Sequence, residues 1–151
     1  MRYVETSTLI SRKPEEVLNA FTDPTDLKDW WGVERCLIEL KKGGLYSLVW
    51  QKTSSAIDFV TTGIIAEYIP GCQLKVENMA YFNPGRQIFG PMELMVLTTP
   101  EKVGTTLTIV QSGYQYGPDW DWYYNVVKEA WPVVIAKIKE HLENKSIVIR
   151  Y

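Results

Sequence analysis

Histidine is nearly missing from this sequence. His141 is the only one in 151 residues, and the run Lys-Glu-His-Leu-Glu places it in an exposed late turn of a helix. Cysteine is scarce as well, with Cys36 and Cys72 far apart. One histidine and two separated cysteines cannot build a zinc site. No carboxylate spacing marks a calcium or magnesium loop, and no Ser or Cys has a base near it. No metal and no cofactor are expected, and no residue stands out as catalytic. The two thiols read as reduced and buried.

Long apolar runs are also lacking, which excludes a membrane-spanning helix. The start, MRYVETSTLISRK, has no apolar signal-peptide core, so the expected compartment is the cytoplasm. Basic runs go no further than the pairs Arg12-Lys13 and Lys41-Lys42, and the net charge is −2 with a pI near 5.5. Nucleic acid needs a basic footprint, so it is not an expected partner. Repeats, low-complexity tracts and linkers are absent too. Residues 1–151 read as one domain, long enough for a real core.

Aromatic residues are abundant. They make up 13% of the chain, with six Trp and nine Tyr. Such residues either fill a core or line a cavity in which a ligand replaces part of the packing.

The stretch PEEVLNAFTDPTDLKDWWG spans residues 14–32. Pro14 suits a first helical turn, and Glu15 and Glu16 favour its positive end. Val17, Leu18 and Phe21 form an apolar stripe. Asp23 is a good N-cap, Pro24 fits the first position and Gly32 stops the helix. Two short helices follow. Trp30 and Trp31 point about 100° apart, so one is expected to anchor these helices and the other to lie at a rim. Trp31 is the expected inner residue, because Gly32 lets the chain turn beneath it.

Strands are predicted around this pair. Val4 to Ile10 precedes it. Cys36 to Leu40, Leu45 to Gln51, Phe59 to Ile69, Gln73 to Tyr81, Met92 to Thr98 and Thr105 to Gln111 follow it. A Thr53-Ser54-Ser55 turn and a long loop from Phe82 to Pro91 separate some of them. Trp120, Tyr124, Val127, Trp131, Val134, Ile138 and Leu142 then form one stripe of a long helix. Pro132 falls inside it, so a kink or break is expected near Lys128 to Pro132. Ile147-Val148-Ile149 is an apolar tail suited to an edge contact or a neighbouring chain.

This order, with Pro14-Glu15-Glu16-Val17, Phe21-Thr22-Asp23-Pro24, Leu27 and Trp30-Trp31-Gly32, resembles the START-like helix-grip superfamily, also called SRPBCC. Gly43-Gly44, Gly63, Pro70-Gly71, Gly104 to Thr108 and Ser112-Gly113-Tyr114 extend the likeness over almost the whole chain. Within that superfamily the chain is similar to the activator of heat shock protein ninety ATPase homologue-like family. It departs where the family often has Thr-His, here Val110-Gln111, and at Ala130, usually Gly. The regulatory members carry a separate N-terminal chaperone-binding domain, for which this length leaves no room.

The resemblance implies an α+β helix-grip fold. A curved antiparallel sheet of about six to seven strands wraps a long C-terminal helix, with two short helices after the first strand and a cavity between sheet and helix. The candidate lining is Tyr46, Leu48, Trp50 and Phe59, then Tyr81, Phe82, Met92 and Leu94, then Tyr114, Trp122, Tyr123 and Val127. The crowded aromatics at the start of the long helix leave some for a rim near the Phe82 to Phe89 loop. Glu67, Glu77 and Glu93 lie in strands; each either faces the cavity as an acid or base, or sits on a solvated face. Three functions stand open. The first is a binder of a small apolar or aromatic ligand. The second is a partner-binding, co-chaperone-like module. The third is a cyclase- or dehydratase-type enzyme, away from which the reading leans. A homodimer also stays open.

Overall fold

The computed structural model describes residues 2–51 and 58–145. The Thr53-Ser54-Ser55 turn and the Ile147-Val148-Ile149 tail lie outside them. Strand β1 (Tyr3–Ile10) leads into two short helices, α1 (Pro14–Asn19) and α2 (Pro24–Trp31). Six strands follow: β2 (Arg35–Ile38), β3 (Leu45–Gln51), β4 (Asp58–Ile69), β5 (Gln73–Phe82), β6 (Phe89–Pro100) and β7 (Thr105–Ser112). Helix α3 (Pro118–Glu143) is the last element among the described residues. This is the α+β helix-grip arrangement, with seven antiparallel strands in the order β1-β7-β6-β5-β4-β3-β2.

Alternation explains which face each strand buries. Along β7, Thr105, Leu107, Ile109 and Gln111 turn inward, while their neighbours face outward. Tyr46 and Leu48 do the same on β3, and Leu74 and Val76 on β5. From the other side α3 supplies Trp120, Tyr123, Val127, Trp131, Ile135, Ile138 and Leu142. Full burial of a side chain such as Leu107 or Ile138 contributes roughly 2 kcal/mol.

The sheet curves where its ladders slip. Register shifts interrupt β4 and β5 between Thr62 and Ile64, and β5 and β6 between Val76 and Met79. Asn78 takes the left-handed φ of 50° within the slipped stretch. Such bulges bend and twist a strand. Gly63 faces the slip, where a Cβ would come within 2.6 Å of Val76 Cγ1.

Several expectations change. Pro132 does not break α3, which runs as one helix of 26 residues; Pro132 lies on the exposed side of the helix. The buried stripe takes Tyr123 and Ile135 in place of Tyr124 and Val134, because the pitch of a straight helix drifts against a strict four-three alternation. The loop from Phe82 to Pro91 shrinks to residues 83–88: pairing continues from Tyr81 to Phe89, and the irregular register there accommodates Pro91. Cys72 is exposed and Cys36 half-buried, both free. His141 is not exposed either. Its Nε2 lies 3.0 Å from Asp26 Oδ1 of α2, which packs over the last turns of α3. The charged neighbours of His141 in sequence gave no sign of that tertiary partner.

Candidate functional site

The site begins with the corner that ends α2. Asp23 caps this helix, its Oδ1 accepting from Thr25 N at 2.8 Å and Asp26 N at 3.1 Å. Gly32 closes it in the left-handed conformation, φ 71°. Between these stops the two tryptophans take opposite roles to those expected. Trp30 is buried, and its Nε1 donates to the Ala20 carbonyl at 2.8 Å. Trp31 is the half-buried one. The rings nevertheless stack, centroids 4.8 Å apart and planes within 12°. Phe21 stands near-perpendicular to both rings, at 5.4 Å from Trp30 and 6.3 Å from Trp31.

Trp31 looks onto a pocket of about 490 Å³ between the sheet and α3. The sheet wall starts with Tyr46, Leu48 and Trp50 of β3, then Phe59 and Thr61 of β4. Met79, Tyr81, Leu94 and Gln111 continue it across β5, β6 and β7. The helix wall is Trp122, Tyr123, Val126, Val127, Ala130, Trp131 and Val134. Two aromatic groups frame the space. Trp31 lies 5.1 Å from the Trp50 ring and near-perpendicular to it, and 5.8 Å from Trp131 at a tilt of 51°. Across from them Phe59, Tyr81 and Tyr123 stack in sequence, at 6.4 and 5.3 Å.

Three of the residues singled out in the sequence lie elsewhere. Phe82 is exposed, since it is the outward end of β5. Met92 and Tyr114 are buried but behind the wall; the Met92 sulfur receives Gln111 Nε2 at 3.5 Å. The rim expected near the Phe82 to Phe89 loop does include Trp122, whose ring carries the Arg86 guanidinium at 3.6 Å. Phe89 does not join it. It is fully buried, stacked on Tyr123 at 4.5 Å. The strand glutamates are also outside the pocket. Glu77 and Glu93 flank Lys75 at 3.5 and 3.2 Å, and Glu67 is exposed. Among the described residues no Asp, Glu, Lys, Arg or His lines the pocket.

The lining also holds residues that the sequence reading did not pick out, chiefly Trp31, Thr61, Met79, Gln111, Val126 and Ala130. Gln111 had a readable signal, as the polar end of the inward series Thr105, Leu107 and Ile109. Its carboxamide is tied on both sides. Oε1 accepts from Trp131 Nε1 at 2.8 Å, and Nε2 donates to the Tyr123 hydroxyl at 3.2 Å. Burial pushes the Tyr46 and Tyr123 phenols upward, in Tyr123 against the opposing pull of Gln111, so both stay neutral. Tyr46 donates to the Phe21 carbonyl at 2.6 Å.

Residues 11–143 match the family described as activator of Hsp90 ATPase homolog 1-like protein. The chain belongs to that family. Solved structures share its fold. A protein from Chromobacterium violaceum is 23% identical, with a TM-score of 0.72, over 96% of this chain and 100% of that one. A protein of unknown function from Staphylococcus aureus is 18% identical, with a TM-score of 0.70, over 94% and 93%. An Aha1 from Colwellia psychrerythraea, solved in solution as a dimer, is 17% identical, with a TM-score of 0.69, over 95% and 98%. At these identities the likeness shows the fold. No curated protein matches the chain. Among the described residues no helix is long and apolar enough to cross a membrane, and no cluster of His, Cys, Asp and Glu suits a metal ion.

Proposed function

We propose that this family member binds a small, largely apolar and aromatic ligand between its sheet and α3, in the cytoplasm. One observation carries the reading: aromatic rings wall a space of about 490 Å³ that falls within the usual range of small-molecule sites. Flat rings at fixed angles favour a flat guest, through stacking and edge contacts. Ala130 gives a direct test, because it lines the pocket from an exposed position of α3 and can be enlarged without disturbing the buried core. Isothermal calorimetry with 2-ethylnaphthalene is expected to show binding to the native protein. Ala130→Phe is expected to weaken it about tenfold or more, a loss of about 1.4 kcal/mol. Absence of heat and of any thermal shift with the native protein, for this hydrocarbon and for its ketone counterpart 2-acetylnaphthalene alike, would remove the reading.

The family description supports a second reading, a partner-binding module that acts on a chaperone ATPase. Chaperone ATPase rates measured with and without this protein decide it, and an unchanged rate at high micromolar protein excludes it. The Colwellia relative's dimer likewise supports a homodimer, to be read from sedimentation.

A further inference from the structure

The hydrogen bonds inside the pocket determine what kind of polar group a guest must bring, an inference that rests on the ligand-binding reading above. Trp131 Nε1 can only donate, so the Gln111 atom 2.8 Å from it is the carbonyl oxygen. The Gln111 NH₂ therefore faces the other way, 3.2 Å from the Tyr123 oxygen and 3.5 Å from the Met92 sulfur. Tyr123 is thereby made the acceptor, and its own hydrogen is turned away from Gln111. Among the described residues no acceptor meets that hydrogen. Tyr123 is only 6% exposed, and a buried donor without a partner is costly.

The other deeply placed donors are committed. Tyr46 donates to the Phe21 carbonyl, Trp131 to Gln111, and the half-buried Trp50 to the Trp31 carbonyl at 3.1 Å. Trp31, Trp122, Thr61 and Tyr81 are half-buried and reachable by water, and the Tyr81 hydroxyl also meets the Asn83 side chain. A carboxylate guest would enter without a counter-charge, because no Lys, Arg or His lines the pocket among the described residues. We propose that the pocket selects a neutral aromatic compound whose carbonyl-type oxygen accepts the hydrogen bond from Tyr123.

Two probes of matched shape test this, 2-acetylnaphthalene and 2-ethylnaphthalene, against the native protein and Tyr123→Phe. The substitution keeps the stacked ring and removes only the hydroxyl. The native protein is expected to bind the ketone about tenfold more tightly than the hydrocarbon. In Tyr123→Phe that preference is expected to vanish, the ketone and the hydrocarbon then binding with equal affinity. The infrared carbonyl stretch of bound ketone should move to lower frequency in the native protein and return in the variant. Equal affinity for both probes in the native protein, or a preference that survives in Tyr123→Phe, overturns the inference and leaves the ligand-binding reading standing. Failure of both probes to bind the native protein overturns the two together.

Discussion

Gln111 binds three partners with one carboxamide: Tyr123 and Trp131 of the helix wall, and Met92 behind the sheet wall. Replacing it with leucine of similar size leaves the buried Trp131 N–H without an acceptor. An unmet buried donor costs about 1–3 kcal/mol, so Gln111→Leu is expected to lower stability by that amount in urea unfolding, with the slope unchanged. The tryptophan pair makes a related point at this scale. That one of the two would be buried and the other partly exposed was legible from the helical angle between them. Which one was not, because the choice depends on the Ala20 carbonyl, just past the end of the preceding helix, accepting from the Trp30 indole. Phe82 illustrates the same limit. Its aromatic character suggested a cavity wall, but the parity of β5 turns it to solvent.

At the scale of elements, Asp26 ties α2 to the end of α3. Its Oδ1 lies 3.0 Å from His141 Nε2 and 2.8 Å from Lys145 Nζ. Burial pushes the carboxyl upward, but the hydrogen bonds from Lys145 and His141 outweigh it and hold the group below its ordinary 3.8. A depressed carboxylate stabilises the fold above its unfolded-state value and loses that contribution as pH falls through the folded value. Stability of the native protein is therefore expected to drop as pH falls below about 4. Asp26→Asn should be less stable at neutral pH and show a shallower acid slope, read from unfolding curves across the range. Sheet curvature is a second property of elements. The added Cβ of Gly63→Ala meets Val76 Cγ1 at 2.6 Å and the Glu77 carbonyl at 2.9 Å. Overpacking of this kind costs about 1–3 kcal/mol, which a lowered melting temperature would register. The succession of strands along the chain was legible from alternation and turn residues. The bulges were not, since a ladder slip depends on both partners of a pair. Pro132 marked a helix break by local rules, and burial of one stripe of α3 from Trp120 to Leu142 overrode them.

For the whole molecule, the sheet and α3 close tightly around Leu107, Ile109 and Ile138 and stay apart around Tyr81, Trp31 and Val126. A ligand that occupies this space in the folded state alone stabilises it by mass action. At a hundredfold excess over its dissociation constant the gain is about 2.7 kcal/mol. Saturating 2-acetylnaphthalene is therefore expected to raise the unfolding midpoint, whereas Ala130→Phe should respond far less at the same concentration. The sequence by itself determined the order of elements, the two short helices, the second of them capped by Asp23, and the shared face of Tyr46, Leu48 and Trp50. These follow from local chemistry, namely proline and aspartate at helix starts, glycine at turns, and periods of two and 3.6 residues. Tertiary structure alone decided that Trp31 rather than Trp30 borders the pocket, that His141 meets Asp26, and that Gln111 turns the Tyr123 hydroxyl hydrogen away from itself. Each of those depends on which groups from distant segments arrive at the same place, and no local period carries that information.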